Sequence, residues 1–369
     1  MIGGLIIIIG IISMVMIHEG GHFLAAKAVG IKATEFFFGF GPRLWSTRRG
    51  ETEYGIKAIP LGGYVRVVGM NPYEEVAPED EGRTYRDKPF WAKSVVVLAG
   101  VACHFVLAFL IFFVVHTAVG VGVRTTIVQA VLATLTDGTA TPAVTAGLEP
   151  GDKILSLDGV GTPEWADLVD AISARPGEAV FLSIERAGAF YSIQATLATE
   201  EAASGGEKGF LGIEPETTRL RVNPLVGLAR AGGSVGSAVV LSGEGLWRLI
   251  TGLPGLIGNV FSGNTGAIGD NRPASPIGLV RIGAETQAYG FGFTLELVAV
   301  VNIFVGIFNL VPIYPLDGGH FSVALYEKLR GRRADPRKLA PVAAAVVALM
   351  VLLGGLAIFL DVVAPFRVQ

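Results

Sequence analysis

The residues with the clearest chemical potential are two histidines and a glutamate at the end of the first apolar segment. His18-Glu19-Gly20-Gly21-His22 is an H-E-x-x-H pattern. On a helix, positions i and i+4 share a face, so both imidazoles can reach one Zn²⁺, and Glu19 sits beside the metal as a general base for an attacking water. In a chain of 369 residues with 5 His and 32 acidic residues, chance yields such a pattern only about 0.006 times. The spacing therefore predicts a catalytic zinc site.

A catalytic zinc site needs a third protein ligand, and the run Asn309–His320 offers two candidates. Two prolines in this run break the third apolar segment at its end, and Gly318-Gly319 let the backbone approach closely. Asp317 lies within this proline-to-glycine turn, which favours it. His320 follows three residues later and is the competing ligand.

These residues lie in a chain whose composition is typical of membrane proteins. Hydrophobic residues make up 51% and charged residues 17%, against roughly 25% charged in soluble proteins. The net charge of −3 is too small to indicate nucleic acid as a partner. No Lys or Arg precedes the first apolar run, so we interpret it as a retained membrane helix and not as a signal peptide. Segments long enough to cross a bilayer, which takes about 20 helical residues, are Ile2–Val29, Val95–Val119, Phe293–Ile313 and Leu339–Val363.

The charge of the short loops predicts the orientation. There are 11 Lys/Arg residues from Lys27 through Lys93 and six more from Lys328 through Lys338. Short loops rich in Lys and Arg stay on the cytoplasmic side. The long 120–292 segment and both termini are then expected to face outward.

The first cytoplasmic loop is not linker-like. Glu35–Pro42 and Glu53–Val67 are aromatic and β-branched runs broken by Gly and Pro, and they predict a small hairpin or sheet associated with the membrane. Its open strand edge would pair with an unwound substrate segment, or the sheet would merely plug the cytoplasmic face. Both readings stay open.

The outward segment divides in two. Residues 122–216 show short strands with turn signals, and Pro142–Gly159 is similar to the PA-x-x-AGL-x-x-GD-x-I signature of PDZ domains. That resemblance implies a groove that adds a peptide as an extra strand, with Gly209–Ile213 resembling a carboxylate-binding loop, or a filter that excludes bulky outer domains. Residues 223–261 carry apolar positions at helical spacing, which predicts a helix lying on the bilayer surface or packed against the compact domain.

The two chemical motifs together resemble the site-2 protease family of intramembrane zinc metalloproteases. Other segments similar to that family are Gly39–Pro42, Pro60–Val65 and Ser275–Gly278, and Trp45–Gly55 resembles the actinobacterial members. The resemblance implies that His18, His22 and Asp317 are the zinc ligands and that Glu19 is the base. It also implies that Asn309 helps to hold the substrate backbone or the oxyanion.

One segment departs from the family. The second helix of the family usually reads Gly-Pro-x-x-Asn-Phe, whereas this chain has Gly100-Val101-Ala102-Cys103-His104-Phe105. Val replaces Pro, and His104 replaces Asn. His104 either preserves the donor role of the Asn or makes an extra contact near the zinc.

The sequence therefore predicts a polytopic α-helical membrane protein with about four transmembrane helices, a cytoplasmic membrane-associated β element and an extracytoplasmic PDZ domain. We expect an intramembrane zinc metalloprotease of the bacterial inner (plasma) membrane, acting on transmembrane proteins such as an anti-sigma factor or on signal-peptide remnants. A membrane-anchored zincin with soluble substrates and a metal-binding transporter or PDZ scaffold are the alternatives. The predicted segments are 1–29 (first helix), 30–93 (cytoplasmic loop), 94–120 (second helix), 121–216 (PDZ domain), 217–292 (linker with amphipathic helix), 293–313 (third helix), 314–338 (LDG motif and loop) and 339–363 (fourth helix).

Overall fold

The computed structural model describes residues 2–71, 73–135, 138–201, 206–262, 272–286 and 290–363. In chain order the helices are α1 (Ile2–Ala28), α2 (Phe90–Val114, continued by a π-helical turn, Val115–Val119), α3 (Pro142–Thr145), α4 (Trp165–Ser173), α5 (Pro224–Phe261), α6 (Pro276–Glu285), α7 (Phe291–Asn309), α8 (Asp317–Arg330) and α9 (Pro336–Val363). The strands are β1 (Ala33–Arg49), β2 (Thr52–Val67), β3 (Val121–Val131), β4 (Lys153–Leu157), β5 (Val160–Gly161), β6 (Ala179–Arg186), β7 (Ala189–Thr196), β8 (Ala198–Glu201), β9 (Glu207–Phe210) and β10 (Ile213–Leu220).

The chain divides into two units, Met1–Val119 with Arg221–Gln369, and Gly120–Leu220. Within the described residues, the first unit has five helices long and apolar enough to cross a membrane: α1, α2 with its π-helical turn, α5 to Val260, α7 and α9. Four of them coincide with the predicted spans to within a few residues. The fifth, α5, was not predicted as a span.

Helix α5 packs against other helices of the first unit. Its first half packs against α2 and α7, where Ala231 and Ala238 share a buried cluster with Phe112 and Ile303. Small side chains let helix backbones approach closely inside a membrane, and they give little hydrophobic periodicity, so the sequence pattern did not indicate this contact. Other apolar side chains of α5 remain exposed in both halves, among them Leu225 at 79% and Trp247 at 67%.

Helices α1 and α2 cross at close range because of a glycine. A Cβ at Gly21 would lie 2.7 Å from the carbonyl oxygen of Ala99 and 2.8 Å from Sγ of Cys103. The buried cluster below this crossing includes Ala26, Val96 and Val97. The H-E-x-x-H turn of α1 is thereby pressed against α2.

The predicted β element is confirmed as an antiparallel sheet of β1 and β2. Both strands bend, so Phe36 pairs with Val65 on one side and with Tyr54 on the other. Residues 63–67 of β2 therefore form an edge of this sheet, because they pair with β1 on one side and, among the described residues, with no strand of the sheet on the other. Their other side faces α1, as the contact of Val65 described below shows.

The second unit contains a mixed α/β arrangement. Its main sheet has the strand order β10-β3-β4-β6-β7, with β5 beside β4, and β8 pairs with β9 separately. All the strand pairs are antiparallel. The core includes Ile154, Leu168 and Leu182, each at 0% exposure. The sheet and helices α3 and α4 enclose this core.

Candidate active site

The structure brings His18, His22 and Asp317 together. Nε2 of His18 and Nε2 of His22 lie 3.4 and 3.3 Å from Oδ2 of Asp317, and the two Nε2 atoms are 3.1 Å apart. Their donor atoms form a group that could hold a metal ion. The residues come from helices separated by almost 300 positions in the sequence, and all three are largely buried.

Helix α2 orients the two histidines. Nδ1 of His22 donates to the carbonyl oxygen of Val96 at 2.8 Å, which leaves Nε2 with a free lone pair. A metal-ligating histidine is commonly held this way through its second nitrogen. A Cβ at Gly100 would lie 2.5 Å from Cε1 of His22 and 2.9 Å from Cε1 of His18. Only glycine at this position lets α2 lie against both rings.

Asp317 is placed by the turn between α7 and α8. It is the first residue of α8, where the helix dipole stabilises a carboxylate. The turn folds back on itself tightly: a Cβ at Gly318 would lie 2.5 Å from the carbonyl oxygen of Val311, and a Cβ at Gly319 2.5 Å from Cα of Tyr314. The two glycines after Asp317 are therefore required for this return of the chain.

The donor set fits a zinc ion. Two imidazole nitrogens and a carboxylate oxygen are typical zinc ligands, and at Zn–ligand distances of about 2.0–2.1 Å the edges of a tetrahedron are about 3.3–3.4 Å. The distances of 3.1–3.4 Å match these edges. Oδ2 of Asp317 is buried without a hydrogen-bond partner in the described part of the chain, and such an orphaned acceptor is expected where a cation binds.

Glu19 lies beside this group and is held by the sheet. The amide nitrogen of Val65 donates to Oε2 of Glu19 at 3.0 Å. Because this amide points to α1 and not to β1, the one-sided edge of residues 63–67 faces the candidate base. The edge strand and the base are thus in direct contact.

The two other predicted candidates lie elsewhere. His320 does not join the group of donor atoms within the described residues; it lines a cavity of about 570 Å³ with Val65 and Tyr314. Asn309 is half-buried at the last residue of α7, and its role in holding the substrate stays a prediction.

Sequence reasoning missed two features of the site. One is the close contact of Gly100 with the rings of His18 and His22, because the sequence shows a glycine there but not which residues it faces. The other is the partner of His104, which is Asn302 of α7 at 2.7 Å. The signal for that pair was available, because both are polar residues inside apolar helices, and such groups pair with each other.

Comparisons with known proteins identify the family of this chain. The sequence profile described as peptidase family M50 matches residues 6–353. The chain belongs to this family. It is 31% identical over 394 residues to zinc metalloprotease Rip1 of Mycolicibacterium smegmatis, covering 99% of this chain and 95% of that protein. It is 29% identical over 403 residues to zinc metalloprotease Rip1 of Mycobacterium tuberculosis, covering 97% and 96%.

The PDZ domain of the SdrC-like protein from Listeria monocytogenes aligns with 25% of this chain and 93% of that domain, at 20% identity and a TM-score of 0.19. Family membership makes this chain a zinc metalloprotease of the site-2 type with several membrane helices, and not a transporter or a scaffold. The predicted enzyme class, the zinc cofactor and the family resemblance are confirmed.

Proposed function

We propose that this M50 peptidase hydrolyses peptide bonds in transmembrane segments, with His18, His22 and Asp317 as its zinc ligands. The observation that carries the proposal is the meeting of two donor atoms of α1 with that of Asp317, which follows α7 at the start of α8. Both α1 and α7 are long and apolar enough to span a bilayer. A membrane-anchored zincin with soluble substrates would carry its H-E-x-x-H pattern in a soluble domain, whereas here the pattern lies within α1.

The residues around the metal supply the rest of the chemistry. Zinc, when bound, polarises the scissile carbonyl and lowers the pKa of water. Glu19 accepts the proton of the attacking water and passes it to the leaving amine. His22 is kept in the correct tautomer by Val96, and Asn309 holds the substrate backbone or the oxyanion.

The edge of residues 63–67 is proposed to bind the substrate as an added strand. An unwound substrate segment has free backbone groups, and lipid offers no partners for them. The amide of Val65 already donates to Glu19, so a substrate strand at this edge competes for that hydrogen and releases the carboxylate towards the metal. Strand addition and activation of the base would then be coupled.

The sheet itself is proposed to lie at the cytoplasmic membrane interface. Its far end exposes apolar side chains that a soluble sheet would bury, among them Leu44 at 68% and Trp45 at 59% exposure. Basic Arg43 and Arg48 lie in the same strand segment. Apolar residues beside cations are typical of segments bound to a lipid surface.

The proposed topology keeps four spans in the bacterial plasma membrane, with both basic loops in the cytoplasm. The carbonyl oxygen of Gly283 in α6 lies against Gly3 in the first turn of α1, at the opposite end of α1 from His22. Arg272 and the amide of Ser275 likewise bind Asp361 in the last turn of α9. If α5 crossed the membrane once, the chain that follows it would emerge on the cytoplasmic side, whereas these contacts lie at the outward ends of α1 and α9. We therefore propose that α5 packs against the spanning helices without a net crossing.

The PDZ-like unit is proposed to select substrates, by binding a peptide end or by excluding large outer domains. Substrates of the proposed class are transmembrane proteins, with an anti-sigma factor or signal-peptide remnants as the expected examples. The test is a proteome-wide comparison of membrane-protein fragments in cells with wild-type or Glu19→Gln protein. Fragments cut inside a transmembrane segment should disappear with Glu19→Gln. Loss of cuts only in soluble regions would refute intramembrane cleavage.

A further inference from the structure

His104 has one ring nitrogen tied to a neighbouring helix and the other without a partner. Its Nδ1 lies 2.7 Å from Oδ1 of Asn302. Nδ2 of Asn302 donates to the carbonyl oxygen of His104 at 2.5 Å. His104 is 2% and Asn302 0% exposed, so solvent does not compete for these bonds. Nε2 of His104 is buried with no hydrogen-bond partner in the described residues.

This pairing determines the tautomer of His104. A backbone carbonyl can only accept, so the nitrogen of the Asn302 amide must face it. Oδ1 of Asn302 then faces Nδ1 of His104, and because Oδ1 can only accept, Nδ1 must carry the hydrogen. In the neutral ring, Nε2 therefore holds a bare lone pair. A second proton would bury an unpaired charged donor, which is strongly unfavourable.

The lone pair lies beside the proposed metal site but outside it. The ring centroids of His104 and His18 are 4.9 Å apart. His104 follows Gly100 by four residues on α2, so both lie on the helix face that meets the two histidines of α1. Among the described residues, His104 does not belong to the group of donor atoms that could hold a metal ion. It is thus a buried hydrogen-bond acceptor next to the ligands and not a fourth ligand.

We propose that Nε2 of His104 accepts a hydrogen bond from a backbone N–H of the unwound substrate, which makes His104 a further substrate-binding residue. Unwinding a transmembrane helix frees N–H donors at a depth where lipid provides no acceptor. An unpartnered acceptor costs free energy in the empty site and is satisfied only when a donor arrives. The inference rests on the proposed function for the identity of that donor.

The tautomer also decides between the two roles left open for His104. An Asn at this position can donate and accept, whereas His104 with Nδ1 bound to Asn302 can only accept. The neutral residue therefore does not preserve a donor role. Its contact near the zinc site is an acceptor for the substrate.

The first arm of the test is nitrogen-15 NMR of the zinc-loaded full-length protein in nanodiscs, with His104 assigned by difference from His104→Asn. The expected spectrum has a protonated Nδ1 and an unprotonated Nε2. A protonated Nε2 in the neutral ring would overturn the proposal. This arm reads the unmodified residue and does not depend on whether a variant folds.

The second arm measures binding of a synthetic transmembrane peptide, derived from a cleaved model substrate, to Glu19→Gln protein, which binds without cutting. The peptide is methylated at one backbone nitrogen at a time, and each derivative is also measured on Glu19→Gln/His104→Phe protein. At one position near the scissile bond, methylation should weaken binding about fivefold to tenfold more when His104 is present, which is the worth of one hydrogen bond. Asn at position 104, which also offers an acceptor, should restore this difference.

Equal methylation penalties at every position in both proteins would overturn the inference. Zinc content is measured in parallel and should be unchanged in His104→Phe. If wild-type protein cleaves the peptide and Glu19→Gln does not, yet no position depends on His104, this inference fails while the proposed function stands. If Glu19→Gln protein cleaves the peptide at the wild-type rate, the proposed function itself fails.

Discussion

Gly100 offers a direct perturbation of the metal site by a single methyl group. In Gly100→Ala the new Cβ would lie 2.5 Å from Cε1 of His22 and 2.9 Å from Cε1 of His18. Favourable carbon–carbon contacts lie at about 3.5–4.0 Å, so the rings must shift by roughly 1 Å. A displacement of about 1 Å in a catalytic group can cost about 10²-fold in rate. Zinc affinity should fall by about 10- to 100-fold, as for other changes around metal ligands.

The same substitution should not lower the intrinsic stability of helix α2, although it lowers the affinity for zinc. Ala in a helix interior is favoured over Gly by roughly 0.5–1 kcal/mol, so α2 itself is not weakened by Gly100→Ala. Gly20→Ala is the matched control: Gly20 is a helical glycine of the H-E-x-x-H pattern itself, and a Cβ there meets no atom within 4 Å outside its own helical turn. Zinc affinity is measured by competition with a chelator, and cleavage with a model transmembrane substrate. Wild-type zinc affinity and cleavage in Gly100→Ala would refute the proposed placement of both histidines.

Three further predictions concern other parts of the chain. Asp317→Ala should lower the zinc content measured by elemental analysis, whereas His320→Ala should leave it at about one ion per chain; the reverse result would make His320 the ligand. A cysteine near Arg333 should be labelled only from the cytoplasm and one near Gly206 only from outside, and reversed labelling would overturn the charge argument. Asp152 should make the 120–220 unit acid-sensitive: the protection factors of its backbone amides, which correct for slower intrinsic exchange in acid, should fall as the pH falls through the lowered pKa of Asp152, and unchanged protection factors would contradict this.

The sign of the last prediction follows from the surroundings of Asp152. Burial disfavours its ionised form, but Arg186 donates two hydrogen bonds of 2.6 and 2.7 Å, and the amide of Glu149 donates a third. These bonds outweigh the burial and hold the pKa of Asp152 below its usual range. A carboxylate whose pKa is lowered by folding stabilises the fold above its unfolded pKa, and this stabilisation is lost as the pH falls through the folded pKa.

The sequence was sufficient to predict the elements that carry the chemistry. The H-E-x-x-H spacing placed His18 and His22 on one helical face, and the proline-to-glycine turn left Asp317 and His320 as candidates for the third ligand. The family resemblance then favoured Asp317 before any distance was known. The apolar runs gave the approximate bounds of α1, α2, α7 and α9. These features depend on local pattern, which a single sequence records.

Contacts between distant segments could not be predicted in the same way. The packing of α5 on α2 and α7 uses alanines, which give little periodic signal. The hydrogen bond from Val65 to Glu19 depends on which side of the sheet edge faces α1, and a shift of one residue would remove it. The tautomer of His104 depends on Asn302, which is 198 positions away.

The most direct test of the central claim is Glu19→Gln in purified protein. The substitution keeps the size of the side chain and removes the base, so zinc content and fold should be unchanged. General acid–base catalysis is typically worth about 10²–10⁴-fold, so cleavage of a model transmembrane substrate should fall by at least about 100-fold. Cleavage by Glu19→Gln at the wild-type rate, in detergent and without a co-purifying protease, would show that the H-E-x-x-H pattern does not perform the hydrolysis.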